Sequence, residues 1–210
     1  MSKTRVGVLL SGRGSNLQAL IDAQGPYCPY EIVAVGANHP DAGGLSRARD
    51  AGIDAFALDH RPFGKDREAF EKALDAELRE RTVEIVALAG FMRVLTPFFV
   101  QAWAQRLINI HPSLLPAFPG LDTHARAIAA GAKLHGCSVH WVNEGVDTGP
   151  IIGQAAVQIL PDDTPDTLAA RVLVAEHVLY PACLALVCGG PQDQATPGDG
   201  GDIFLNAWLR

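Results

Sequence analysis

An asparagine and a histidine, Asn109 and His111, stand two residues apart at the end of the apolar run LINIH. On a β-strand, residues i and i+2 point to the same side, so the two side chains would converge. An amide NH₂ and an imidazole can both donate to one oxygen, which suits the oxyanion of an acyl-transfer reaction. The pair could equally satisfy the backbone of a loop, and spacing alone leaves both interpretations open.

The segment after His111 must leave the strand. Pro112 has no N–H to donate to a neighbouring strand, and SLLPAFPG follows with two further prolines. In open α/β sheets, ligands bind beyond the carboxyl ends of the strands. The break therefore predicts an exposed site at that edge of a sheet.

A carboxylate, Asp147, lies in the turn of NEGVDTGPII, between Gly145 and Gly149. Beside a histidine it would favour the imidazolium form and fix the orientation of the ring. Alternatively, Asp147 forms an Asx turn with its own backbone, which is the simpler interpretation when no fold is known.

A two-glycine turn in LLSGRGSNLQAL separates a predicted strand from a predicted helix. Backbone N–H groups at such a helix N-terminus bind anions such as phosphate. Leu17 stands where the dinucleotide-binding pattern G-x-G-x-x-G needs its last glycine, so the motif is weak. An ordinary turn, with Ser15 or Asn16 as the helix cap, is the alternative.

Short apolar runs alternate with helical patterns along the chain. This rhythm predicts an α/β fold, a Rossmann-like and mostly parallel twisted sheet with helices on both faces. The C-terminal part should add an antiparallel pair of strands and a long helix that starts at Thr164–Pro165 and that Pro181 could kink. The predicted strands cover about 5–10, 32–36, 54–58, 84–89, 107–110, 136–142 and 151–159, and the predicted helices cover about 17–23, 44–51, 66–80 (with Asp66 as N-cap), 97–104 and 164–187.

Composition excludes several classes of function. The net charge is −6 and there is no basic run, which argues against a nucleic-acid partner. No apolar stretch reaches the ~18 residues of a membrane span and the N-terminus is not a signal peptide, so we expect a cytoplasmic protein.

The four cysteines lack a C-x-x-C spacing, and His135 and His140 should face opposite sides of a strand, so no metal site is predicted. The G-x-S-x-G motif of serine hydrolases is also absent.

Taken together and in order, the motifs resemble the folate-dependent formyltransferases, and within them the enzymes that formylate glycinamide ribonucleotide (GAR). The resemblance covers nearly the whole chain, and the order and spacing of six blocks make it specific. The blocks are VLLSGRGSNLQALI, LAGFMRVL, INIHPSLLPAFPGLDTHARAI, HGCSVHWV, VDTGPII and ARVLVAEHVLYP.

The resemblance implies the reaction and its catalytic residues. The cosubstrate would be 10-formyltetrahydrofolate and the acceptor the amine of GAR, with a tetrahedral intermediate and no metal. Asn109 and His111 match the residues that hold the oxyanion, with His111 as imidazolium. Asp147 matches the aspartate that would raise the pKa of His111 above its ordinary value of about 6.5 and assist proton transfer through water.

The resemblance also implies the binding residues. Ser138 and His140 would line the site without a direct chemical role, and the Leu115–Pro116 bond would be cis. Gly14, Ser15 and Asn16 would hold the phosphate of GAR and Glu176 its ribose. The folate would contact Phe91, Met92, Arg93, Val94, Leu95 and Asn109, and the loop residues Glu144, Gly145 and Val146 would close over the pterin.

The chain is expected to form a single formyltransferase domain over residues 1–188. Its nucleotide-binding half would cover about 1–105 and its catalytic and folate half about 106–188, followed by a Gly/Pro-rich tail at 189–210. Related enzymes that formylate methionyl-tRNA or hydrolyse formyltetrahydrofolate carry an additional domain that we do not find in this sequence. The partners are therefore expected to be GAR and folate, in a monomer or homodimer.

Overall fold

The computed structural model describes residues 2–189 and 203–205, which form one sheet of eight strands in the order β3-β2-β1-β4-β5-β6-β7-β8. Strands β1 to β5 are mutually parallel, β6 is antiparallel to β5 and to β7, and β8 is parallel to β7. The predicted α/β fold is confirmed. The strands are β1 Thr4–Leu10, β2 Tyr30–Ala37, β3 Asp54–Ala57, β4 Ile85–Leu88, β5 Leu107–His111, β6 Leu134–Trp141, β7 Ile151–Gln158 and β8 Ile203–Leu205.

Helices cover both faces of this sheet. The helices are α1 Ser15–Asp22, α2 Gly43–Asp50, α3 Arg67–Glu80, α4 Pro97–Ala102, α5 Thr123–Ala129 and α6 Pro165–Gly189, with a 3₁₀ turn at Arg61–Phe63. Strand β1 shows how the two faces are covered: Val6, Val8 and Leu10 are buried in one apolar cluster with residues of α1, α2 and α6, whereas Leu9 is buried in the other with residues of α3. Helix α5 and the 3₁₀ turn were not predicted.

Helix α3 follows its sequence pattern closely. Asp66 is the N-cap, because its carboxylate accepts the N–H of Ala69 at 2.9 Å. Phe70, Leu74 and Leu78 recur at steps of four and are at most 2% exposed. Burial of each such side chain contributes roughly 1.5–3 kcal/mol, so this stripe fixes α3 on the sheet.

Helix α6 begins where predicted, since the N–H of Thr167 donates to Oγ1 of Thr164 at 3.2 Å. It continues as one helix through Pro181 to Gly189, two residues beyond the predicted end. By length and composition alone α6 could cross a membrane. However, nine of its side chains are buried and it packs against β6, β7 and α1, so its apolar character is explained by the core.

The predicted tail is described only in part. Gly189 belongs to α6, and residues 203–205 form β8 beside β7. Residues 190–202 and 206–210 lie outside the described residues.

Candidate active site

The carboxyl ends of β1, β4 and β5 meet at one edge of the sheet, where the strand order reverses between β1 and β4. Such a reversal opens a crevice in doubly wound sheets. The turn after β1, the segment 89–96 after β4 and the end of β5 all emerge there. The first two are joined directly, because the N–H of Met92 donates to Oγ of Ser11 at 2.8 Å.

Asn109 and His111 lie on β5 and point to the same side, as predicted. In the antiparallel register with β6, Asn109 is opposite His140 and His111 is opposite Ser138. Nδ2 of Asn109 lies 3.2 Å from Nε2 of His140. Nδ1 of His140 donates to the carbonyl of Trp141 at 2.8 Å, so Nε2 is the ring nitrogen that faces Asn109.

Asp147 lies beside both His111 and His140. Its Oδ2 lies 3.4 Å from Nδ1 of His111 and its Oδ1 lies 3.6 Å from Nε2 of His140. The N–H of Gly120 donates to Oδ2 at 2.9 Å. The Asx interaction in this turn is made by Asn143, whose Oδ1 accepts the N–H of Gly145 at 3.1 Å. The carboxylate of Asp147 is therefore directed to the histidines.

His111 is 6% exposed, with an acceptor facing each ring nitrogen. Nε2 is 3.2 Å from the carbonyl of Phe118, and Nδ1 faces Asp147. Burial lowers the pKa of His111, and the Phe118 carbonyl and the Asp147 carboxylate offset that only in part, so the pKa lies below its ordinary value. The expectation of a raised pKa is wrong for this site, because desolvation of the ring outweighs the neighbouring carboxylate.

The pKa of Asp147 moves in the direction that keeps it ionised. Burial by itself raises it, but the His140 ring, the Gly120 N–H and the charge of His111 together bring it below its ordinary value. At neutral pH the described site thus combines a carboxylate with a neutral imidazole.

The turn after β1 requires glycine at position 14. Gly14 has φ 74°, and a Cβ there would lie 2.6 Å from Cα of Gly44. Gly14 is the N-cap of α1, and in this part of the structure no side chain caps the helix, so the alternative of Ser15 or Asn16 as cap is wrong. The N-terminal amides of α1 therefore have no side-chain cap, which is the arrangement that can bind an anion.

Asn16 and Glu176, 160 residues apart in sequence, are in contact between α1 and α6. Nδ2 of Asn16 donates to Oε2 of Glu176 at 2.6 Å. Burial raises the pKa of Glu176, and the Asn16 amide partly offsets this. Oδ1 of Asn16 is buried without a hydrogen-bond partner among the described residues, so an acceptor remains available beside the turn at Gly14.

An open cleft of about 140 Å³ lies between the segment after β4 and the loop after β6. It is lined by apolar side chains and by Asn109, His140 and Asp147 at its inner end, which is typical of a small-molecule site. Met92 is the exception among the predicted folate contacts, because its side chain is 68% exposed and does not line the cleft. The predicted contacts that do line it are Phe91, Arg93, Val94, Leu95, Asn109, Glu144, Gly145 and Val146.

Three groups at the centre of the site were not predicted to take part: the ring of His140, the carbonyl of Phe118 and the N–H of Gly120. Two of them are backbone groups, to which side-chain motifs give no clue. His140 could have been found from its pairing opposite Asn109, had the register of β5 and β6 been known. The Leu115–Pro116 bond is cis, as the resemblance implied.

Comparison with known proteins shows the family of the chain. Residues 4–184 match the family model for formyl transferases. The phosphoribosylglycinamide formyltransferase of Escherichia coli K12 is 46% identical over 184 residues, covering 87% of this chain and 86% of that protein. The crystal structure of phosphoribosylglycinamide formyltransferase from Brucella melitensis superposes with a TM-score of 0.85 at 50% identity, covering 90% of this chain and 98% of that one.

The chain belongs to the formyl transferase family. Within it, the similarity is to the phosphoribosylglycinamide formyltransferases, which confirms the resemblance read from the motifs. A third relative, the trifunctional purine biosynthetic protein adenosine-3 of Drosophila melanogaster, is 50% identical over 193 residues. This match covers 90% of the chain but only 14% of that protein, so the chain spans a small part of the length of such relatives.

Proposed function

We propose that this protein transfers the formyl group of 10-formyltetrahydrofolate to the amine of GAR, giving formyl-GAR and tetrahydrofolate for purine synthesis in the cytoplasm. One observation carries the proposal: Asn109 and Asp147 line the cleft, and Nδ1 of His111 lies 3.4 Å from Oδ2 of Asp147, on the sheet edge that also carries the glycine turn after β1 (residues 11–14), which we name the anion-binding turn. The folate cosubstrate and the nucleotide would then meet at these three residues.

The cleft fits the formyl donor. Its wall, within residues 91–95, supplies the apolar side chains of Phe91, Val94 and Leu95 to a flat ring, and the exposed loop residues 144–146 form the opposite rim. Gln101 of α4 donates to the carboxylate of Glu144 at 2.8 Å, which anchors that rim to the body of the protein. Arg93 lines the outer part, where it would meet the glutamate end of the folate.

The acceptor would occupy the other side of the edge. Its phosphate would bind the backbone amides of Gly14, Ser15 and Asn16, and its ribose hydroxyls would bind Glu176. Oδ1 of Asn16, buried and without a partner in the described structure, supports an additional bond from a donor group of the ligand. Neutral backbone donors explain how a protein of net charge −6 could hold an anion.

In the chemical step, the amine attacks the formyl carbon and the carbonyl oxygen gains negative charge. Nδ2 of Asn109 would donate to that oxygen, and His111 would stabilise it once protonated. Because the resting ring is neutral, His111 would acquire its proton from the attacking amine, through water, and pass it to the departing folate nitrogen. Asp147 would stabilise the imidazolium while it exists.

Folate absorbance with purified protein tests the proposal, measured with and without GAR. We expect deformylation of 10-formyltetrahydrofolate only when GAR is present. Deformylation without GAR would instead indicate a hydrolase built on the same site. If neither mixture reacts, the proposed acceptor or donor is wrong.

A further inference from the structure

Glu71, on α3, is a buried carboxylate that takes no part in the chemistry described above. It is 2% exposed, and both of its oxygens are directed to Thr96. Oε1 accepts the N–H of Thr96 at 2.9 Å, and Oε2 accepts its hydroxyl. A buried carboxylate is costly unless it is hydrogen-bonded, so both of these bonds matter to the fold.

Thr96 is the residue at which the wall of the cleft ends. It follows the wall segment 91–95 directly and is the N-cap of α4. Its hydroxyl makes no capping bond to α4 and is donated to Glu71 instead. The contact thus fixes the junction between wall and helix.

The wall itself has no helix or strand to hold it. Between the end of β4 at Leu88 and the start of α4 at Pro97, the backbone is irregular. One anchor is the bond from the Met92 N–H to Ser11. The others come from α3. The Arg67 guanidinium donates to the carbonyl of Val94 at 3.5 Å, Phe70 lies beneath the Arg93 guanidinium at 5.0 Å, and Glu71 binds Thr96. Among these contacts from α3, that of Glu71 is buried, and its carboxylate accepts two hydrogen bonds, from the N–H and the hydroxyl of Thr96.

We propose that Glu71 is a positioning residue for the folate side of the active site, acting through Thr96 to hold residues 91–95 in the geometry that accepts the folate. The inference rests on the proposed function, because it takes the ligand of this cleft to be a folate. It assigns to Glu71 an effect on the folate and little effect on GAR, because the bond that joins the wall to the anion-binding turn, from Met92 to Ser11, involves neither Glu71 nor Thr96.

The chain offers a matched control on the same pair of helices. Asp75 lies four residues after Glu71 on α3 and accepts the indole N–H of Trp103 at 2.9 Å. Trp103 is the C-cap of α4, at the end remote from the wall. Replacement of Asp75 removes a hydrogen bond between a carboxylate of α3 and the C-cap residue of α4, and neither residue lines the cleft.

The experiment compares Glu71→Ala, Glu71→Gln and Asp75→Ala with the unmodified protein. Tetrahydrofolate, the expected product, is titrated to obtain Kd, and KM is measured for GAR. We expect Glu71→Ala to weaken tetrahydrofolate binding about tenfold or more, from the loss of a charged hydrogen bond, and to leave the KM for GAR within about twofold. Glu71→Gln should restore most of the affinity, because its amide can still accept the Thr96 N–H.

Asp75→Ala should lower Tm without weakening tetrahydrofolate binding, which separates positioning from general stability. The proposal is overturned if Glu71→Ala and Asp75→Ala weaken folate binding alike, or if Glu71→Ala binds tetrahydrofolate normally. Should Glu71→Ala fail to fold, Thr96→Val removes the hydroxyl alone and must still weaken folate binding selectively. An unmodified protein that does not bind tetrahydrofolate would overturn the proposed function, and this inference with it.

Discussion

At the scale of single residues, the proposed oxyanion donor is the side-chain amide of Asn109, which is in contact with His140. The amide of Asn109 faces Nε2 of His140 at 3.2 Å, so it is already oriented before any ligand arrives. Preorganised donors of this kind stabilise developing charge without the cost of reorientation. Asn109→Ala should therefore reduce kcat roughly 10²–10³-fold.

The measurement is steady-state kinetics with both substrates varied. Because Asn109 also lines the cleft, a small rise in KM for the folate is expected, but the loss must appear mainly in kcat. A variant with an unchanged kcat would show that the amide holds only the histidine.

Replacement of Asp147 by asparagine keeps the shape of the side chain and removes its charge. The carboxylate raises the pKa of His111 against the effect of burial, so without it that pKa should fall further. Turnover should drop roughly 10²–10⁴-fold, the range for loss of acid–base assistance, while folate binding changes little.

The pH profile gives the sign of this effect. In the proposed mechanism the neutral form of His111 accepts the proton, so kcat of the unmodified protein should decline as the pH falls through the lowered pKa of His111. In Asp147→Asn that decline should move to lower pH. A decline that stays in place, or equal damage to kcat and to folate binding, would contradict the assigned role.

At the scale of elements, the loop after β5 connects the catalytic pair. Its Phe118 carbonyl faces His111, and its Gly120 N–H donates to Asp147. The carbonyls of Pro119 and Leu121, in the same loop, accept hydrogen bonds from the Arg126 guanidinium of α5 at 2.5 and 3.2 Å. Loss of this guanidinium should loosen both inner contacts. We expect Arg126→Met to lower kcat roughly tenfold, as for loss of a charge-assisted hydrogen bond.

The charge and the geometry of Arg126 can be separated. The positive charge lowers the pKa of His111, so Arg126→Met should shift the acidic decline of kcat to higher pH. Arg126→Lys keeps the charge, but its shorter side chain cannot place a donor where Nη1 contacts both carbonyls, so kcat should fall without that shift. Identical profiles for the two variants would exclude the electrostatic contribution.

The turn before α1 provides an element-scale test of the acceptor side. Gly14→Ala forces a Cβ against the backbone of Gly44 at 2.6 Å and is also disfavoured by φ 74°. Gly52→Ala is the control, with φ 72° and open space around its Cβ. Both should lose about 1 kcal/mol of unfolding free energy from the backbone conformation.

Only Gly14→Ala should raise the KM for GAR, with the KM for folate unchanged, because only it displaces the amides of α1. Thermal melts and two-substrate kinetics on the pair of variants give both quantities. A normal KM for GAR in Gly14→Ala would place the phosphate elsewhere.

Most elements could be predicted from the sequence because their apolar spacing and caps are local properties. The stripe of Phe70, Leu74 and Leu78 and the Asp66 cap identify α3 without any tertiary information. Helix α5 was missed because its seven residues, THARAIA, bury only two side chains and present no clear apolar stripe. The direction of the pKa shift of His111 was predicted wrongly, because the sequence identifies Asp147 as a charged neighbour but does not show how deeply the ring is buried.

At the scale of the whole molecule, stability should depend on histidines that are buried uncharged. His135 is 1% exposed, and its Nε2 lies 3.1 Å from Nδ1 of His124. Burial, followed by the charge of His124, lowers the pKa of His135 to about 4. Since the pKa in the unfolded chain is near 6.5, the unfolded state binds the proton first as the pH falls.

The contribution of His135 is therefore fully present above about pH 6.5 and is lost as the pH falls towards 4. At most about 3 kcal/mol of unfolding free energy is involved, from 1.36 kcal/mol per unit of pKa. Glu176 acts in the opposite direction, because its raised pKa favours the folded state on acidification. Comparison of the unmodified protein with His135→Gln isolates the histidine from this background.

Denaturant unfolding of both proteins at several pH values between 4.5 and 7.5 provides the test. The unmodified protein should lose stability across that window more steeply than His135→Gln, and the two curves should converge at acidic pH. Parallel curves would mean that His135 keeps an ordinary pKa, and that the pair with His124 is solvated more than its burial indicates. The acid sensitivity of the fold would then have to come from the carboxylates with lowered pKa, such as Asp163, which act below about pH 4.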